Sequence, residues 1–141
     1  MKLLLSWAWE FVDISAPARA IADTLALRGF ETAAVEPLGD DAVIDFEVTA
    51  NRPDCLSIVG LAREIATAYN LPCASPAGSG RMAPLAAGPS SDLRVTIDDT
   101  ELCPRYAAAV ADVTAATTPA WMVTRLQACG VRPISPIVDI T

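Results

Sequence analysis

The chain has 141 residues, which is enough for one domain or for a small domain and part of a second one. Seventeen acidic residues against ten basic ones give a formal net charge of −7, which excludes a nucleic-acid-binding face that covers the whole surface. The chain contains no histidine, so imidazole acid–base catalysis and histidine-ligated metal sites within it are excluded as well.

The first 35 residues predict a strand, a helical turn, a helix and a second strand. Residues 2–5 are extended, and a first turn of helix follows over residues 6–12 with Ser6 as its cap. Residues 15–29 have apolar side chains at helical spacing, with Ser15 as the cap and Gly29 at the left-handed C-terminal position. A short strand over residues 30–35 completes this part.

Residues 45–69 are the most specific stretch of the chain. A strand with alternating apolar residues leads through the corner Asn51-Arg52-Pro53-Asp54 into a helix. By its residues alone the corner is a candidate charged site. The family resemblance described below implies a structural joint instead, in which Asp54 or Ser57 caps the helix and Arg52 pairs with a carboxylate or a backbone carbonyl. The apolar face of this helix consists of Ile58, Leu61, Ala62, Ile65 and Tyr69.

The second half of the chain begins with its one compositional break. Residues 71–91 carry four prolines and three glycines, which is typical of an extended linker. Beyond it, residues 93–98 and 105–113 alternate as strands do, and a helix is predicted from Thr118-Pro119 to Gly130. Residues 136–141 are expected to form a last strand.

Few residues here belong to types that carry chemistry. The four cysteines are too far apart for a C-x-x-C pair, and we expect reduced thiols in a cytosolic protein. No apolar run is long enough to span a membrane. The pairs Asp40–Asp41 and Asp98–Asp99 lie in separate turns without further ligands, so no catalytic or metal-binding residue is predicted.

One alternative assigns a binding function to the corner. Arg52 and Arg63 could form a basic edge on the strand–turn–helix unit, as in a free-standing nucleic-acid-binding module without catalytic activity. The net charge of −7 makes this hypothesis the weaker one.

Four strings, taken together, point to a known family. Residues 50–57 (ANRPDCLS) and 60–66 (GLAREIA) resemble the end of the first domain of the bacterial phenylalanine–tRNA ligase beta subunit. The opening SW and FV, with LRGFE at residues 27–31, is similar to the first helices of that subunit. The string CPRY at residues 103–106 resembles the start of its editing domain, and PAWM, LQACGVRPI and VDIT follow in family order.

The resemblance implies an α+β fold in three parts: residues 1–72 as the N-terminal domain, 73–91 as the linker and 92–141 as the incomplete start of the editing domain. It also implies a cytoplasmic aminoacyl-tRNA ligase. In this family the alpha subunit carries out aminoacylation within a heterotetramer, so tRNA(Phe), ATP and Mg²⁺ would be bound by the whole enzyme. No cofactor is expected for these residues alone, and they are not expected to be catalytic by themselves.

The editing domain of the family hydrolyses tyrosine wrongly esterified to tRNA(Phe). The resemblance places Thr141 on one wall of the editing pocket, where its hydroxyl could hold a water or the substrate ester. The histidine partner of the family's pocket would follow in the part of the subunit beyond residue 141.

The sequence departs from the family pattern at one internal position. A tRNA-binding module of the oligonucleotide-binding barrel type usually lies between the strand that ends near Glu36 and the strand that resumes near Asp45. Only residues 37–44 connect the two strands here, which predicts a simple turn. The comparison with the family therefore implies that this chain lacks the module.

Overall fold

The computed structural model describes residues 1–74, 93–108, 110 and 117–140. They fall into two units: the first contains residues 1–74 and 117–140, and the second contains residues 93–108 and 110. Helices and one antiparallel sheet coexist, so the predicted α+β class is confirmed. Most of the predicted linker lies outside the described residues, and the division into domains at residues 72 and 92 stays a prediction.

The sheet of the first unit has three strands in the order β1-β3-β2. Strand β1 is Lys2–Leu4, β2 is Glu31–Leu38 and β3 is Asp41–Glu47, and both pairings are antiparallel. The predicted strands are therefore confirmed, although β2 runs three residues further than expected. Its register shifts at a bulge between Thr32 and Ala34.

A two-residue turn joins β2 to β3. Leu38 and Asp41 are still paired across the sheet, so only Gly39 and Asp40 form the connection. Gly39 has a φ of +61°, a conformation that a glycine at the first central position supplies without steric cost. The simple turn expected in place of an inserted module is present.

Five α-helices and one 3₁₀ turn complete the described structure. Helix α2 begins at Ala18 and not at the predicted Ser15, because Ala16 precedes a proline and Pro17 itself is extended at ψ 149°. The predicted caps Ser6 and Ser15 are wrong, whereas Gly29 does adopt the left-handed conformation at φ +92°. The helices are α1 Leu5–Ala8, α2 Ala18–Ala26, α3 Ile58–Tyr69, α4 Ala120–Ala128 and α5 Pro136–Ile140, and the 3₁₀ turn is Pro53–Cys55.

The core lies between the sheet and helices α2 and α3. Phe46 is fully buried and packs edge-on against Phe30, with ring centroids 6.3 Å apart. The stripe predicted for α3 is confirmed by the burial of Ile58, Leu61, Ala62 and Ile65. Among the described residues, the buried ones all lie between Leu3 and Ala66, and α4 and α5 bury none.

The three strands predicted in the second half of the chain are wrong over the residues that the structure describes, whereas residues 109, 111–113 and 141 of these predictions lie outside them. Residues 93–97, 105–108 and 110 are irregular in the second unit, where the described residues include no neighbouring strand to satisfy backbone hydrogen bonds. Residues 136–140 form helix α5. Proline suits the first turn of a helix, and the N–H of Asp139 donates to the carbonyl of Ser135 at 2.8 Å, so the segment coils where a strand was expected.

The predicted cap of α4 is also wrong. The N-cap position is occupied by Pro119, and Thr118 lies one residue before it, where its Oγ1 donates to the carboxylate of Asp139 at 2.5 Å. Pro119 precedes the helix in an extended conformation. Gly130 ends the helix at φ +78°, as predicted. In the part of the chain that the structure describes, no helix has the length and apolar character needed to cross a membrane.

Candidate functional site

The corner between β3 and α3 is built by short-range hydrogen bonds. After β3 ends, the N–H of Arg52 donates to the carbonyl of Thr49 at 2.9 Å, and the N–H of Cys55 donates to that of Arg52 at 3.0 Å. Pro53 fixes its own φ and starts the 3₁₀ turn. Ser57 then caps α3, since its Oγ accepts the N–H of Gly60 at 3.0 Å, which confirms one of the two predicted caps.

Arg52 is the centre of the corner. Its Nε and Nη2 donate to the two carboxylate oxygens of Asp54 at 3.1 and 2.9 Å, and Nη2 also donates to Glu64 Oε1 at 2.6 Å. The guanidinium lies 5.0 Å above the ring of Phe30. The predicted pairing of Arg52 with a carboxylate is therefore confirmed, and the corner is connected to α3 and to the core at once.

These contacts determine the ionisation of the corner. The hydrogen bond from Arg52 lowers the pKa of Asp54 to about 2, and the two carboxylates raise the pKa of Arg52. Burial, reinforced by Asp54, raises the pKa of the Cys55 thiol to about 11. At neutral pH the corner therefore holds a neutral thiol, which is a poor nucleophile.

A metal ion is not required to explain the acidic groups of the corner. Asp54, Cys55 and Glu64 each offer a ligand atom, and these atoms lie within 4.8 Å of one another. Arg52 Nη2 contacts all three side chains and lies 3.1 Å from Cys55 Sγ. The guanidinium thus occupies the position that a cation would take, and the residues do not fit a metal site while it is there.

Gly60 permits the close approach of α3 to the corner. A Cβ atom at this position would lie 1.8 Å from the carbonyl oxygen of Asp54, so that no other residue type fits without a shift of the backbone. Gly60 and Glu64 are one helical turn apart and both meet the corner. Sequence reasoning missed both residues, although a glycine inside an amphipathic helix is a signal of such contact.

The remaining candidate residues are not brought together. Arg63 is exposed on α3, and its guanidinium has no ion-pair partner among the residues that the structure describes. Arg52 is already paired with two carboxylates, so the nucleic-acid-binding alternative is not favoured. Asp41 accepts the N–H groups of Ser6 and Ala42 and has a structural role. Thr141 lies outside the described residues, and its predicted role in an editing pocket stays a prediction.

The lowered pKa of Asp54 predicts a specific dependence of stability on pH. Because the pKa in the folded state, about 2, lies below the ordinary value of 3.8, the carboxylate stabilises the fold above about pH 4. This contribution is expected to disappear as the pH falls from about 4 to about 2. Urea unfolding at a series of pH values should show that the free energy of unfolding of Asp54→Asn at pH 7 is lower than that of the unaltered protein. Between about pH 4 and about pH 2 the variant should lose less of this free energy than the unaltered protein does.

A matched variant tests whether this effect belongs to the corner. Asp40 is an exposed carboxylate in the β2–β3 turn, and Asp40→Asn is expected to keep the full acid-induced loss of the unaltered protein. Equal pH dependence in Asp54→Asn and the unaltered protein would contradict the assigned role of the Arg52–Asp54 pair.

Comparisons with known proteins relate the chain to one group of enzymes. Residues 102–141 match the B3/4 domain family. A phenylalanine–tRNA ligase beta subunit of Rhodopirellula baltica is 36% identical over 142 residues, covering 99% of this chain and 21% of that protein. The beta subunits of Oleidesulfovibrio alaskensis and Nitratidesulfovibrio vulgaris are 45% and 48% identical over 103 residues, covering 72% of this chain and 13% of each relative.

The matched regions cover only a small part of each relative, and one of them is free of large insertions. The chain spans about a fifth or less of the length of each of these relatives. The match to the Rhodopirellula subunit extends over 142 residues and includes 99% of the 141 residues of this chain. Because the two lengths are almost equal, neither protein has a domain-sized insertion within the matched region. A relative that matches through the region of the β2–β3 turn without an inserted module agrees with the two-residue connection seen here.

Proposed function

Because this chain belongs to the family of the phenylalanine–tRNA ligase beta subunits, we propose that it serves the attachment of phenylalanine to tRNA(Phe) within a larger cytoplasmic complex. The observation that carries this proposal is the match over 99% of the chain to one such subunit. Activation of the amino acid with ATP and Mg²⁺ would then be carried out by the alpha subunit, as the family resemblance implies.

Within that complex we assign a structural role to the first 74 residues. The contacts of Arg52 with Asp54, Glu64 and Phe30 join a strand, a turn and a helix, and they engage Nε, Nη2 and one face of the guanidinium. An arginine in this arrangement stabilises the fold and is poorly placed to bind phosphate groups as well. The acidic net charge supports the same conclusion.

Residues 102–141 are proposed to contribute to the domain that hydrolyses tyrosine wrongly esterified to tRNA(Phe). The B3/4 match over these residues and the family strings within them support the proposal. Thr141 would supply a hydroxyl that orients the attacking water or the ester, while other parts of the subunit complete the pocket.

Co-purification and charging assays test the proposed assembly. The full-length protein that contains these residues is expected to co-purify with its alpha subunit, and ATP-dependent formation of Phe-tRNA(Phe) should require both. Charging by the protein without the alpha subunit, or failure of the two to associate, would contradict the proposal.

The editing role requires a separate assay in the assembled enzyme. Thr141→Val is expected to slow hydrolysis of Tyr-tRNA(Phe) about tenfold or more, the size of effect seen when one group that stabilises the reacting ester is lost, while charging with phenylalanine is unchanged. Thr124→Val is the control, because the Thr124 hydroxyl is exposed and donates only to the carbonyl of Ala120 one turn earlier. Equal rates of Tyr-tRNA(Phe) hydrolysis by the two variants would contradict a role of Thr141 in the editing pocket.

A further inference from the structure

Helices α4 and α5 belong to the first unit but contribute little to its core. Neither helix buries a residue, although α4 lies against β1. Large apolar side chains of this segment remain open to solvent, with Trp121 58% and Ile140 73% exposed. Apolar burial is therefore incomplete along residues 117–140, and specific side-chain contacts contribute to holding the segment in place.

Those contacts centre on one arginine. The guanidinium of Arg125 lies 5.3 Å from the ring centroid of Trp7 and 5.5 Å from that of Trp121, and it forms an ion pair with Glu10. Trp7 and Glu10 belong to the N-terminal segment, whereas Trp121 and Arg125 belong to α4. We name these four residues the clasp. Tryptophan is the best aromatic partner for a cation, and a planar guanidinium can stack between two rings.

A second contact lies one turn further along α4. Cys129, at the C-terminal end of α4, packs against the hydrophobic core. Its thiol is half-buried by this contact. Separation of α4 from β1 would expose Cys129 while leaving Cys55, which lies within the core, covered.

We propose that the clasp is a latch, which fastens the segment 117–140 to residues 1–74 of the same unit and allows the segment to detach while the core stays folded. The described core residues lie between Leu3 and Ala66, and of the described residues in segment 117–140 only Cys129 packs against them. Elements with few buried apolar contacts open locally at a lower free energy than the core. The inference concerns the mechanics of this chain and does not rest on its proposed function.

Native-state thiol labelling tests the latch on the full-length protein. With N-ethylmaleimide under native conditions and peptide mass mapping, Arg125→Ala is expected to raise the labelling rate of Cys129 about tenfold, the size expected when two cation–π contacts and an exposed ion pair are lost. Trp121→Leu should raise the same rate by a smaller factor, because it removes one of the two rings. Each rate is compared with that of the same cysteine in the unaltered protein, so intrinsic thiol reactivity cancels.

The remaining cysteines and a second arginine provide the controls. Cys55 reports opening of the core and is expected to keep its rate in both variants, and Cys73 is exposed throughout. Arg132→Ala removes an exposed arginine outside the clasp and should leave Cys129 unchanged. An unchanged Cys129 rate in Arg125→Ala would overturn the proposal. An equal rise in the labelling rates of Cys55 and Cys129 would overturn it as well, because the loss of Arg125 would then unfold the core together with the segment 117–140.

Discussion

The substitution Gly60→Ala is expected to lower the free energy of unfolding by about 3 kcal/mol, measured by urea denaturation followed by circular dichroism. The added methyl group would lie 1.8 Å from the carbonyl oxygen of Asp54, which is backbone and cannot rotate away. Helix α3 must then shift relative to the corner, and the hydrogen bond between Arg52 and Glu64 is strained with it. At most helical positions the same substitution stabilises a protein by about 1 kcal/mol, so the predicted sign is itself a test.

Substitution of a second glycine, Gly39, serves as a control that distinguishes the cost of steric overlap from the cost of backbone strain. Gly39 has a positive φ of +61°, and apart from its chain neighbours no atom lies within 4 Å of the position that a methyl group would take. Gly39→Ala should therefore cost only about 1 kcal/mol, through backbone strain. If Gly60→Ala proved neutral or stabilising, the close packing of α3 on the corner would be contradicted. Equal losses in the two variants would also contradict it.

The second large effect is expected for Phe46→Ala, which should lower the free energy of unfolding by about 3–5 kcal/mol. Phe46 is completely buried in β3 and packs edge-on against Phe30. Its loss leaves a cavity and also removes the support of the ring over which Arg52 lies. Because small domains are only marginally stable, part of the variant is expected to be unfolded at about 37 °C.

Two further variants serve as controls for the effect of Phe46→Ala on stability. Phe46→Leu keeps most of the apolar volume and should cost about half as much or less, whereas Leu38→Ala at a half-exposed position of β2 should change the stability by about 0.5 kcal/mol or less. If Phe46→Ala lowered the free energy of unfolding no more than Leu38→Ala does, the central position of Phe46 in the core would be contradicted.

The elements near the N-terminus can be predicted from the sequence because short-range signals and burial agree there. The alternation around Phe46 and the helical stripe from Ile58 to Ile65 each describe one buried face, and the structure buries both. The corner can be predicted in part. Its local pattern indicates a carboxylate partner for Arg52 and a cap at Ser57, but the choice of Glu64 depends on how α3 is placed in space, which no local pattern contains.

The second half shows why alternation alone is insufficient. Residues 93–98 have the period of a strand, yet a strand needs a neighbour for its backbone groups, and the described residues of that unit offer none. At Ser135-Pro136 the sequence contains the local chemistry of a helix start, which outweighs the apolar character of the residues that follow. The clasp cannot be foreseen from the sequence, because Glu10 and Arg125 are 115 residues apart in the chain.

The turn between β2 and β3 has a consequence for how such a chain can change during evolution. Paired residues of neighbouring antiparallel strands are about 5 Å apart, so the chain leaves and re-enters the sheet at almost the same point, beside solvent and away from the buried side of Phe46. A whole domain whose own termini lie close together could be added or removed there by a single genetic event without repacking the core. The turn at Gly39-Asp40 is therefore a position at which the fold could accept an inserted domain without a change in its core.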